Sequence, residues 1–174
     1  MAEPPVYERS PEEWTNYLAE GNATQPRKRV AADALIRDDA GHVLLVDPTY
    51  KPGWDIPGGM AEANEPPDQT VERELREELG LTLKVGRLLC VDWVSPHGPW
   101  DDSLCLVFDG GRLTPAEVDA LHVADPELAS FEFCPRDTAI GRLNPRMARR
   151  FTAAWDVLSD GAPPRYLVDG VARA

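Results

Sequence analysis

Long hydrophobic runs are missing from this 174-residue chain, so no segment reads as a membrane-spanning helix. Cysteine is scarce. Cys90, Cys105 and Cys134 are odd in number, and their spacing fits neither a zinc site nor a redox pair. They are expected as reduced, buried small hydrophobes, which points to the cytoplasm. Positive charge is also in deficit: 18 Lys and Arg face 30 Asp and Glu, for a net charge of −12. That balance argues against nonspecific binding to DNA, RNA or an anionic membrane. Met1-Ala2-Glu3-Pro4-Pro5 has none of the basic and apolar regions of a secretion signal. There is no internal repeat and no low-complexity tract.

What is present suits one domain with a proper core. Residues 1–26 read as a loose arm and a short helix. Ser10-Pro11-Glu12-Glu13 has the start signals of that helix, which is expected to end near Glu20. Val30–Ile36 and His42–Val46 are strand candidates joined by the turn residues 38–41. Further strands are expected over 83–94, 104–108 and 131–133, with a short turn or helix over 114–121. A helix over 144–158 is expected to face Met147, Phe151, Ala154, Trp155 and Leu158 inward. The tail, 161–174, is expected to pack on the main unit, 27–160, as extended chain. Short strands between helices argue an α+β fold.

The most informative segment is a glycine-rich turn followed by an acidic helix over 67–79. Val71, Leu75 and Leu79 form its apolar stripe. Glu74, Glu77 and Glu78 stand at i, i+3 and i+4, so they share one face. Three like charges that close repel unless a cation lies among them. Hard divalent ions take such carboxylates together with substrate phosphates. Gly58 and Gly59 would let the backbone turn sharply and approach a ligand.

The pattern Gly59-x5-Glu65-x7-Arg73-Glu74-Leu75-x-Glu77-Glu78-x-Gly80-Leu81 resembles a complete Nudix box. Asn64 stands where the family commonly has glycine, and Asn tolerates the left-handed backbone such a turn requires. The resemblance implies the Nudix fold, a mixed β-sheet sandwiched between helices. It implies a Mg²⁺-dependent pyrophosphohydrolase, with Mn²⁺ as a possible substitute, acting on a small nucleoside-diphosphate-X substrate. By the same resemblance, Gly59 (through its carbonyl), Glu74, Glu77 and Glu78 would be metal ligands. Glu74 or Glu77 would be the general base, and Glu65 with Arg73 a structural clamp. A bound Mg²⁺ would invert the local field of so acidic a chain.

Other residues follow from their place. Arg29, Lys51, Trp54 and Trp100 are candidates for substrate binding, the last because an aromatic face can stack on a base. Asp101, Asp102 and Glu117 are outside candidates for the base, and His97 for proton transfer. Arg142, Arg146, Arg149 and Arg150 read as surface charges balancing nearby acids. The rival readings are a hydrolase of isoprenoid diphosphates, with an apolar pocket, and a ligand-sensing domain without turnover. No DNA or membrane partner is expected. A homodimer is the general expectation for a soluble protein.

Overall fold

The computed structural model describes residues 5–173. The expected arm lies partly outside these residues; its described part holds a single 3-10 turn, Val6–Glu8. Helix α1, Pro11–Thr24, has the capping box expected from Ser10 and Glu13. It runs past Glu20 because one interior glycine costs a helix only about 1 kcal/mol, and it stops at Gln25, before Pro26.

The strands are β1 (Arg29–Arg37), β2 (Val43–Pro48), β3 (Gly58–Met60), β4 (Leu88–Val94) and β5 (Ser103–Arg112). They continue with β6 (Leu128–Cys134), β7 (Arg165–Val168) and β8 (Val171–Ala172). The sheet order is β6-β2-β1-β5-β4-β7-β8, with β3 paired to β1 off that path. The sheet is mixed: β1/β5 and β4/β7 are parallel and the other pairs antiparallel. Thus the expected extended tail supplies two strands of the sheet.

Helix α2 (Pro67–Leu79) packs on one face. Val71, Leu75 and Leu79 are fully buried there with Ala32, Ala34 and Ile36 of β1. Helices α4 (Arg136–Arg142) and α5 (Pro145–Asp160) cover the other face, where Leu35, Val107, Leu89 and Phe151 meet. Side chains alternate along a strand, so β1 feeds both cores. A short α3, Pro115–Ala120, borders the α2 side. The three cysteines are buried and free.

Two elements depart from the sequence expectation. Leu83 does not begin a strand: Glu72 of α2 takes the backbone N–H of Val85 at 3.1 Å, and pairing resumes only at Leu88. Helix α4 was not anticipated from the sequence. In α5 the expected residues do face inward: Phe151 and Ala154 are fully buried, Met147, Trp155 and Leu158 pack partly buried against the same core, and Arg150, 3% exposed, joins them.

Strands β1 and β2 pair at Arg37↔Val43 and then splay apart. The chain over 55–60 enters the gap. Asp55 pairs with Val46 of β2, and β3 pairs with β1 through Ala31↔Met60, Ala32↔Gly59 and Asp33↔Gly58. This splay opens the cavity described next.

Candidate active site

A cavity of about 820 Å³ lies where β1 and β2 part. Its walls come from β1 (Arg29, Ala31, Asp33), β3 (Gly58, Gly59, Met60), α5 (Arg146, Met147, Arg150) and the loop bearing Tyr50, Lys51 and Asp55. Glu78 of α2, and His97 and Trp100 of the loop between β4 and β5, complete it.

Of the box glutamates only Glu78 lines this cavity, and Glu74 instead lies against Gly59 at its wall. A Cβ on Gly59 would sit 2.4 Å from the Glu74 carboxyl carbon. The Glu74 carboxylate therefore fills the space that any larger residue at 59 would claim. Asn64 adopts φ of 63°, the left-handed backbone expected of it. Glu65 and Arg73 form a two-pronged ion pair, Nε–Oε1 2.8 Å and Nη2–Oε2 3.0 Å. Arg73 also donates to the Met60 carbonyl at 3.1 Å, which ties the turn to the helix. The guanidinium holds the Glu65 carboxyl down at about 2, against an ordinary 4.5. Because the folded value is the lower one, this contribution to stability is present above about pH 4.5 and fades as pH falls toward 2. Arg73→Lys should lose the fork geometry. Urea unfolding is expected to show a loss of about 2 kcal/mol; an unchanged midpoint would contradict the clamp.

The three box glutamates differ sharply. Glu78 is 8% exposed, and its Oε2 is buried without a hydrogen-bond partner. Burial first, and then Glu74, Glu127, Asp125 and Asp55, push its carboxyl up to about 8. Burial also raises the Glu74 carboxyl, against the pull of Arg73. Glu77 has a half-exposed side chain. One Arg73 nitrogen bridges Glu74 at 3.1 Å and Glu77 at 3.0 Å. Among the described residues no three His, Cys, Asp or Glu converge as a ready metal cage. Arg73 supplies the counter-charge for two of the three in this conformation. The residues nevertheless fit a hard cation: a buried carboxylate oxygen lacks a partner, and a second carboxylate lies against the glycine backbone.

Of the other candidates, Arg29, Lys51 and Trp100 line the cavity. The Arg29 guanidinium lies 4.6 Å from the centre of the Trp100 ring, and Lys51 pairs with Asp55. Trp54 stands outside. It packs against the α4/α5 core, with Arg142 5.0 Å from its ring centre. Asp101, Asp102 and Glu117 do not line the cavity either. Asp102 pairs with Lys28 and accepts from the Trp93 indole, while Glu117 caps α3. His97 does face the cavity, with Nε2 3.2 Å from Arg146.

Sequence reasoning missed Asp33, Asp55, Arg146 and Arg150. Arg150 is no surface charge. Its Nε donates to fully buried Asp92 at 2.8 Å, and its Nη1 lies 3.7 Å from Asp33. A lone acid inside each apolar strand, Asp33 in β1 and Asp92 in β4, was the available signal.

Residues 27–154 match the NUDIX domain family. Diphosphoinositol polyphosphate phosphohydrolase 3-alpha of Mus musculus is 41% identical over 66 residues, 37% of this chain and 40% of that protein. The chain thus matches about two fifths of the length of this curated relative. A MutT protein from Methanosarcina mazei Go1 superposes with a TM-score of 0.64 at 23% identity, covering 78% of this chain and 99% of that one. The NUDIX domain of Shewanella oneidensis NrtR, solved with ADP ribose, superposes at 0.66 and 19% identity, covering 83% and 97%. These two likenesses establish the fold. With the family match spanning most of its length, the chain belongs to the Nudix family and has the Nudix fold.

Proposed function

We propose that the protein is a Mg²⁺-dependent pyrophosphohydrolase that cleaves the diphosphate of a small nucleoside-diphosphate-X substrate in the cytoplasm. The observation that carries this reading is Glu78: a buried, unpartnered carboxylate opening on the same cavity as the Gly58-Gly59 backbone. Glu74, Glu78 and the Gly59 carbonyl would hold Mg²⁺, or Mn²⁺ in its place, with Glu77 reaching a further ion. When bound, the metal neutralises phosphate charge and acidifies the attacking water. The chain's own groups do the rest. Glu74 or Glu77 would take the proton from that water, and burial raises the Glu74 carboxyl when no metal is bound. Arg73 fixes its direction, and Lys51 would orient the phosphates.

The lining favours a nucleotide over two alternatives. Four cations and three carboxylates face the cavity, which does not suit a hydrocarbon chain. Lys51 is already paired with Asp55, and Arg150 with Asp92. That leaves too little free positive charge for a ring crowded with phosphates, although a curated relative is named for such substrates.

The test is phosphate and pyrophosphate release from a diphosphate panel, with Mg²⁺, with Mn²⁺ and with chelator. The panel holds dNTPs, oxidised dGTP, ADP-ribose, NADH, nucleotide sugars, dinucleoside polyphosphates and isoprenoid diphosphates. Metal-dependent turnover of a nucleotide class, lost in Glu77→Gln, is expected. Binding of metal by folded protein with no turnover of any member would overturn the reading and favour a sensor.

A further inference from the structure

Opposite the box helix, the cavity ends in a second set of polar atoms that the diphosphate chemistry does not use. Asp33 is 7% exposed, yet its Oδ2 has no hydrogen-bond partner. Its nearest counter-charge, Nη1 of Arg150, stands at 3.7 Å, too far for a hydrogen bond. Arg150 is instead directed elsewhere: Asp92 takes its Nε at 2.8 Å and is itself fixed by the Gly170 backbone N–H at 2.9 Å. Asp33 is therefore not needed to satisfy Arg150. A buried acceptor with no partner costs free energy unless something else bonds it.

A second orphan lies on the same strand face. One terminal nitrogen of Arg29 is buried without a partner while its guanidinium covers the ring of Trp100, a residue 56% exposed. Arg29, Ala31 and Asp33 alternate along β1, so the cationic and anionic orphans flank a floor made by the small Ala31. Donor, acceptor and exposed aromatic face around one recess suit a polar ring compound.

We infer that Asp33 determines specificity by accepting a hydrogen bond from an N–H or O–H of the nucleoside, so that it selects a nucleoside diphosphate over a diphosphate without one. The inference rests on the function proposed above and narrows it. Arg150 and Asp92 are positioning residues that keep the Asp33 carboxylate free for substrate.

The test is calorimetric binding to the full chain with Mg²⁺. Probes are the α,β-methylene analogues of ADP, GDP, CDP and UDP, ribose 5-methylenediphosphonate, and methylenediphosphonate itself. At a pH above the value of about 7 to which burial pushes the Asp33 carboxyl, at least one nucleoside analogue should bind about tenfold or more tighter than methylenediphosphonate, the gain of one hydrogen bond to a buried charge. Asp33→Ala should erase that preference and leave methylenediphosphonate binding unchanged. Asp33→Asn, which keeps an acceptor oxygen, should retain most of it. A preference kept by the ribose compound assigns the donor to a sugar hydroxyl; one lost with the base assigns it to a base N–H. Asp33→Ala keeping the full preference would overturn the inference. So would nucleoside analogues binding no better than methylenediphosphonate. If Asp33→Ala does not fold, the wild type decides: analogues without base amino or ribose hydroxyl groups should lose about tenfold at one position, and loss at none overturns it. Failure of the function itself looks different, because then the diphosphate panel shows no metal-dependent turnover whatever the diphosphonates bind.

Discussion

Glu78→Gln is expected to make the metal-free protein more stable at alkaline pH and to cut metal-dependent turnover severely. The folded value of Glu78 is about 8, above its ordinary 4.5, because the charged form is buried without a partner. A raised carboxyl means that the fold binds the proton more tightly than the unfolded chain does. Stability therefore falls as pH climbs from about 4.5 to about 8. Glutamine has the same shape and no charge. At pH 5 the two proteins should melt together. At pH 9 the variant should gain on the order of 2 kcal/mol, or about 5 °C in Tm. Bound Mg²⁺ should raise the Tm of the wild type and not that of the variant, since only a group that binds the folded state shifts the melt. Turnover should fall roughly a thousandfold, the weight of several kcal/mol of charge stabilisation. Opposite signs for stability and activity separate this from misfolding. Equal melting at pH 9 together with full metal-dependent turnover would remove Glu78 from the site.

What the sequence disclosed and what it hid divide along chain distance. Helix α2 was legible to its ends because its apolar stripe, its glutamates and Gly80 lie within one short stretch. The Glu65–Arg73 pair was legible for the same reason: both partners belong to one motif. Asp33, Asp92 and Arg150 were not, since their contact joins three elements far apart in sequence. The two lone acids in apolar strands did signal a buried charge that must find a partner. Nothing local named Arg150 as that partner, and helical periodicity alone put it among surface charges. Trp54 was misplaced by its nearness to the box: Trp54 and Asp55 are successive residues of extended chain, so the indole falls to the α4/α5 core while Asp55 lines the cavity. The start of β4 was hidden because a side chain of α2 captures the backbone that periodicity assigned to a strand.

Gly58→Ala should be the most damaging single methyl in the protein, and Gly59→Ala next to it should be mild for the fold. Gly58 has φ of 145°, a backbone state that side chains rarely adopt, and its Cβ would fall 2.2 Å from the Ala32 carbonyl oxygen and 2.6 Å from the Asp33 Cα. Both obstacles are backbone, so relief requires β3 to leave β1. The Ala34 N–H to Pro57 bond at 2.9 Å and the Ala61 N–H to Val30 bond at 2.9 Å flank the clash and would be strained with it. Backbone strain of about 1–3 kcal/mol adds to the disrupted bonds, about 1 kcal/mol each. A fall in Tm of about 10 °C or more is expected. At Gly59 the obstacle is the Glu74 side chain, 2.4 Å from the added carbon, and a side chain can swing away. Stability should change by less than about 1 kcal/mol, while displacement of Glu74 by an ångström or so should cut turnover about a hundredfold. Melting curves and initial rates on the two variants give the comparison. Equal stability losses would mean that Glu74 is held too firmly to move, and full activity in Gly59→Ala would mean that its place against β3 has no part in the chemistry.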